Sequence, residues 1–152
     1  MSRVLVTGMS GTGKTTLLGE LSRRGHQTLD TDYDGCVLVD GAWDETRMSA
    51  FLASNSSVVV SGTVENQGRF YDRFEAVVLL SAPVDVLIER VSVRTNNPYG
   101  NGEAEQSVIR QQVLDVEPLL RQGATLELDG RRPLSELADA VERLMASAGH
   151  VR

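Results

Sequence analysis

Eight consecutive residues, Gly8-Met9-Ser10-Gly11-Thr12-Gly13-Lys14-Thr15, satisfy the pattern Gly-x-x-x-x-Gly-Lys-[Ser/Thr] in full, and Thr16 follows. The glycines permit positive φ and put no Cβ in the way, so successive backbone N–H groups can turn inward on an anion. A helix starting at Lys14 would add the positive end of its dipole. The pattern therefore assigns Gly8, Ser10, Gly11, Thr12, Gly13, Lys14, Thr15 and Thr16 to a phosphate cradle. Lys14 would reach the outer phosphates and the Thr15 hydroxyl would face Mg2+. Of the 15 basic residues, all but Lys14 are arginine. Lysine is a compact charge on a slim stem and arginine a wide planar fork, so a site enclosed by backbone accepts the first and not the second.

A phosphate loop needs a carboxylate near its metal, commonly at the end of a neighbouring apolar strand. Val58-Val59-Val60 runs into Ser61-Gly62, and Val77-Val78-Leu79-Leu80 runs into Ser81-Ala82, so neither supplies one. Two acidic sites remain, Leu29-Asp30-Thr31-Asp32 and Val37-Leu38-Val39-Asp40. Asp30 and Asp32 alternate and can face one way from an extended segment, one toward the metal's water shell and the other toward an attacking hydroxyl. Asp34 stands open between a third acidic ligand and a loop residue. Asp40-Gly41 reads as a hairpin turn. Arg94, beside Asn96-Asn97-Pro98-Tyr99-Gly100, is a candidate for clamping a phosphate in transit, with Arg90 the second candidate or a helix-surface residue. Gly68 to Arg73 mixes charge with aromatics: Arg69 and Tyr71 could line an acceptor site, or Phe70 and Phe74 could face the core. Trp43 and Cys36 read as packing residues, and His26 and His150 as solvated.

The elements that must carry these residues follow from hydrophobic pattern. Strands are expected at Arg3–Thr7, Gln27–Leu29, Val58–Val60, Val77–Leu80 and Ala124–Leu128. Helices are expected at Lys14–Arg24, Asp44–Ala53, Val84–Val91, Ser107–Arg121 with a break near Pro118, and Leu134–Met145. Alternation of this kind implies right-handed crossovers, a mainly parallel sheet covered on both faces, and ligands at the carboxyl ends of the strands. The fold class is α/β with three layers.

The chain has 152 residues, 41% of them hydrophobic and 24% charged, with a net charge of −6, which suits one folded domain over 1–152. One cysteine excludes an internal disulfide, and with two histidines it cannot build the usual zinc site. The acidic balance argues against general nucleic-acid binding. No apolar run is long enough for a spanning helix, and no leader is read at Met1-Ser2-Arg3, so a cytoplasmic protein with no membrane association is expected.

Over nearly its whole length the sequence resembles the shikimate-kinase-like branch of the nucleoside monophosphate kinase group of P-loop proteins, small ATP-binding proteins of AAA type. The likeness rests on Gly8–Thr16, Leu29–Asp32, Leu80-Ser81-Ala82-Pro83, Leu87–Val91, Glu117–Leu120 and Leu128-Asp129-Gly130-Arg131-Arg132-Pro133. It implies a P-loop NTPase fold with a five-stranded parallel sheet in the order 2-3-1-4-5 and a lid loop at about 92–106. It also implies Mg2+ held through Thr15 and Asp30, the acceptor hydroxyl held by Asp32, and an arginine on the adenine, Arg131 or Arg132. An acceptor region at about 33–54 would include Asp34, with Gly62 and Arg69 opposite. Shikimate kinases carry a triple glycine after the third strand; this chain has Ser61-Gly62-Thr63 and keeps only Gly62. Dephospho-CoA kinase and gluconate kinase share parts of the pattern, which leaves the acceptor open. The expectation is a Mg2+-ATP-dependent phosphotransferase acting on a hydroxyl of a small molecule, as a monomer or homodimer. The alternative is a nucleotide-binding ATPase or switch that works with a protein partner.

Overall fold

The computed structural model describes residues 2–9, 11–31, 37–38, 41–92 and 103–149. Five strands, β1 (Ser2–Thr7), β2 (Thr28–Asp30), β3 (Ser57–Ser61), β4 (Ala76–Ser81) and β5 (Leu126–Asp129), form one sheet in the order β2-β3-β1-β4-β5. All four pairings are parallel, with Val6 opposite Ser61 and Val78, Asp30 opposite Ser61, and Ser81 opposite Asp129. The helices are α1 (Lys14–Arg23), α2 (Glu45–Ser54), α3 (Val84–Ser92), α4 (Glu103–Asp115), α5 (Glu117–Gly123) and α6 (Leu134–Gly149), with a 3-10 helix at Gln67–Arg73.

The strands are continuous apolar runs because both faces are covered. On one face Val4, Val6, Val59, Val78 and Leu80 pack against Leu17, Leu18 and Leu21 of α1 and against Leu137, Val141 and Met145 of α6. On the other, Leu5, Leu29, Val58, Val60 and Val77 meet Trp43, Met48, Leu52, Phe70 and Phe74. Each fully buried Leu or Val of these layers contributes about 1.5–3 kcal/mol. Trp43 and Phe70 meet edge to face with ring centres 5.6 Å apart, and Val37 bridges to Trp43 across the Gly41 turn. Cys36, the other residue read as packing, lies outside the described residues, as does His150.

Element ends move by up to a few residues from expectation: α4 begins at Glu103, not Ser107, within the span expected as lid, and α6 runs on to Gly149. β2 ends one residue later, so Asp30 is the last residue of a strand whose pairing with β3 fixes its direction. The break expected near Pro118 is present: α4 and α5 meet at Val116, because Pro118 lacks the N–H needed to continue α4 and is tolerated in the first turn of α5. β5 starts at Leu126, since Ala124 and Thr125 still belong to the turn after α5. His26 is not solvated as expected: its Nε2 lies 2.7 Å from a Glu142 carboxylate oxygen on α6. Among the described residues no helix is long and apolar enough to cross a membrane.

Candidate functional site

β1 ends at Thr7 and the loop turns back into α1, which is capped by Gly13 at φ 101°, a left-handed conformation that glycine adopts without strain. With no side chain at the cap, the first amides of α1 stay open to an anion. Thr12 is buried and its hydroxyl donates to the Met9 carbonyl at 2.8 Å, which holds the loop closed on itself. The Lys14 ammonium donates to the carbonyls of Gly8 (2.6 Å) and Met9 (3.3 Å), folded along the loop where a chain of phosphates would lie.

The Thr15 hydroxyl donates to an Asp30 carboxylate oxygen at 2.8 Å, joining the first turn of α1 to the end of β2. A hydroxyl and a carboxylate are hard oxygen donors, and Mg2+ bound beside phosphates takes few protein ligands and keeps several waters. Among the described residues no group of three or more His, Cys, Asp or Glu could enclose a metal by itself. The pair fits a magnesium ion shared with a nucleotide, held by Thr15 and Asp30.

Two cavities flank the loop. The first, about 340 Å³, is lined by Gly11, Gly13, Thr16, Arg90, Arg132 and Leu137 among others. Arg90 braces it: its guanidinium donates to the carbonyls of Gly11 (3.0 Å), Thr12 (3.4 Å) and Gly130 (3.0 Å). Gly130 follows β5 and lies so close to the loop that a Cβ there would stand 2.5 Å from the Thr12 carbonyl oxygen. Of the two arginines suggested for the adenine, Arg132 lines this cavity. Arg131 does not. It forks onto Asp129 at 2.6–3.2 Å and lines a separate hollow with Ser81, Arg121 and Glu127, because its backbone N–H is also tied to Asp129.

The second cavity, about 770 Å³, is lined by Gly8, Met9, Lys14, Thr63, Gln67 and Tyr71, with Gln112, Asp115 and Leu119 on the far wall. A polar chain runs along it. The Thr63 hydroxyl donates to the Gly8 carbonyl at 2.5 Å and lies 3.1 Å from the Thr7 hydroxyl. The Gln67 amide donates to Thr7 (3.0 Å) and to the Tyr71 hydroxyl (2.9 Å), while its oxygen accepts from Val64 N–H. Phe70 and Phe74 face the core, as the second reading of the 68–73 segment has it, and Tyr71 lines this cavity.

Arg69 does not line it: its side chain is exposed and pairs with Glu45 at 3.3 Å. Gly62 is packed under Trp43 and Thr31, where a Cβ would lie 2.3 Å from the Thr31 hydroxyl. Ser10, Asp32, Asp34 and Arg94 lie outside the described residues, as does most of the expected lid. Thr63 and Gln67 are not candidates in the sequence, and Gly130 enters there only within the Leu128–Pro133 stretch.

At the rim, the Arg121 guanidinium and the Ser81 hydroxyl hold the Glu127 carboxyl down at about 2. Arg131 holds Asp129 at about 2 in the same way.

The family model for the AAA domain matches residues 4–111, so the chain belongs to that family. No curated protein sequence matches it. Among solved structures it is similar to a shikimate kinase from Acinetobacter baumannii in complex with shikimate, with a TM-score of 0.71 and 22% identity over 100% of this chain and 96% of that one. It is also similar to a gluconokinase from Sinorhizobium meliloti, with a TM-score of 0.61 and 20% identity over 96% of this chain and 92% of that one. A YorR protein from Bacillus subtilis in complex with phosphorylated GDP gives 0.71 and 18% over 99% of each. These likenesses bear out the P-loop kinase fold, in the expected strand order.

Proposed function

We propose that this AAA-domain protein is a phosphotransferase that moves the terminal phosphoryl group of Mg2+-ATP to a hydroxyl of a small molecule. The observation that supports it best is the second cavity, which shares Gly8, Met9 and Lys14 with the phosphate loop and so offers room for an acceptor beside the transferred group. The similar folds of a shikimate kinase and a gluconokinase agree with an acceptor of that size.

In this reading the amides of the loop and of the first turn of α1 hold the phosphates. Lys14 exchanges its carbonyl partners for phosphate oxygens. Thr15 and Asp30 hold the metal, which when bound neutralises charge on the phosphates. Asp32 orients the acceptor and takes its proton as the hydroxyl oxygen attacks the γ-phosphorus, and the bond to the bridging oxygen breaks to release ADP. Arg94 closes over the transferred group, a contribution of about 10³ to 10⁵ in rate for such an arginine. Arg132 and Arg90 flank the base. The protein would act in the cytoplasm, as a monomer or homodimer.

Phosphorus NMR of the protein with Mg2+-ATP and pools of sugars, sugar acids, nucleosides, shikimate and aminocyclitols tests the reading. A new phosphomonoester signal is expected in one pool. Asp32→Asn should abolish that signal and leave ATP affinity intact. The second reading, an ATPase coupled to a protein partner, draws on the exposed Val108, Leu114 and Leu119 of α4 and α5. Inorganic phosphate alone in every pool would favour it.

A further inference from the structure

Charge divides the two cavities. The smaller is lined by Arg90 and Arg132 and, among the described residues, by no carboxylate, which suits a nucleotide and its phosphates. The larger carries three charged side chains on its described wall, Lys14, Glu65 and Asp115. The Lys14 ammonium is folded along the loop, where phosphates would claim it, so the charge left for anything else that enters is that of two carboxylates.

Neither carboxylate is matched by an arginine among the described residues. Asp115 accepts from a neutral amide on its own helix, that of Gln111, at 3.0 and 3.1 Å. Arg69, the arginine nearest to Glu65 in sequence, turns onto Glu45 instead. The acids around the separate hollow at the ends of β4 and β5 are treated differently: Glu117 and Glu127 pair with Arg121, and Asp129 with Arg131. Asp115 is also the last residue of α4, where the negative end of the helix disfavours a carboxylate. An acid kept at that place gains most from a cation brought in from outside.

The rest of the wall is uncharged. The Tyr71 hydroxyl accepts from the Gln67 amide and keeps its own proton to donate, while Met9, Val64 and Leu120 offer an apolar face.

We infer that the acceptor is a cation, an alcohol carrying a protonated amine on a compact ring, as in aminocyclitols and amino sugars. Its ammonium lies on the Glu65 and Asp115 wall and its reacting hydroxyl toward Lys14. The inference rests on the phosphotransferase reading and adds the acceptor's charge to it. An ammonium brings three donors to the carboxylates, the free hydroxyls of the ring pair with groups such as Tyr71, and its C–H face meets the apolar side. A carboxylate-bearing acceptor would set like charges against each other on the same wall, which selects against it. The transfer itself is ordinary: the hydroxyl oxygen bonds to the γ-phosphorus as its proton passes to Asp32, the bridging bond breaks to release ADP, and the amine keeps its protons.

The test is phosphorus NMR of the whole protein with Mg2+-ATP and acceptors sorted by charge: aminocyclitols and amino sugars, then neutral cyclitols, sugars and nucleosides, then sugar acids and shikimate. The fastest phosphomonoester formation is expected with an amine. For that acceptor, Asp115→Asn and Glu65→Gln should each raise KM about tenfold, the scale of one lost charge-assisted hydrogen bond, with the KM for ATP within about twofold of wild type. Both side chains are exposed, so neither variant endangers the fold. A neutral or carboxylate acceptor that outruns every amine overturns the inference and leaves the phosphotransferase reading standing. So does an amine acceptor whose KM is unchanged in both variants. No phosphomonoester with any acceptor overturns the phosphotransferase reading itself, and the inference with it.

Discussion

The two cavities beside the phosphate loop are built by different means. The smaller is braced by main chain, where the loop, the turn after β5 and one arginine fork meet at carbonyl oxygens. The larger is walled by side chains, and its polar chain joins residues up to 60 positions apart, from Thr7 to Gln67. Main chain cannot be replaced by a point substitution, so the braced part of the first wall stays the same when side chains change. The second wall can change one residue at a time while the loop stays intact, as suits a fold shared by a shikimate kinase and a gluconokinase.

The largest effect should come from Lys14, the phosphate-loop residue on the larger cavity's wall. Lys14→Ala is expected to lower phosphoryl transfer by about 10² to 10³-fold, the scale for one lost group that stabilises charge in the transition state. Lys14→Arg should recover little of it, because the fork does not fit between the Gly8 and Met9 carbonyls. Steady-state kinetics with ATP titrations measures both. On the main-chain side, Gly130→Ala forces a Cβ against the Thr12 carbonyl. Overpacking of that kind costs about 1–3 kcal/mol, and should appear as a lower melting temperature together with weaker ATP binding. On the side-chain side, Gln67→Leu removes the donor to Thr7 and Tyr71 and the acceptor of Val64 N–H. It should raise the acceptor KM about tenfold, from roughly 1–3 kcal/mol of unpaired polar groups, with little change in ATP affinity. Equal losses for both ligands in Gln67→Leu would erase the distinction between the walls.

The smallest effect lies at the rim. The Glu127 carboxyl is held at about 2 against its ordinary 4.5. The unfolded chain therefore takes up that proton first, and the stability Glu127 contributes is complete above about pH 4.5 and lost as the pH falls toward 2. Its side chain is 37% exposed, so solvent screens the pair and the contribution is at most about 1 kcal/mol. Arg121→Ala should flatten that acid limb in a series of melting curves, and added salt should do so in part.

How far the sequence could be read follows the same division. The cradle was legible because its chemistry is local: the glycines, Lys14 and Thr15 are neighbours, and the strand before them and helix after them show in eleven-residue windows. Asp30 was legible as an alternating acid beside a strand end. Gln67 and Thr63 were not, since each acts by reaching across the sheet ends to β1, and nothing within a few residues of either records that contact. Arg131 and Arg132 were indistinguishable because they are adjacent and alike; only the bond from Arg131 N–H to Asp129 sends one away from the nucleotide side. The α4–α5 break was visible through Pro118, while the paired role of Arg90 depends on Gly11 and Gly130 coming together in space.

The ammonium of Lys14 also gives the molecule a chemical handle. As the chain's only lysine, it is the one side-chain amine that an acylating or reductively methylating reagent can find. Isotopic methylation would therefore place a single side-chain spectroscopic label at the phosphate loop, beside that of the α-amino group. The exchange of Gly8 and Met9 carbonyls for an incoming anion would be readable as the movement of one resonance.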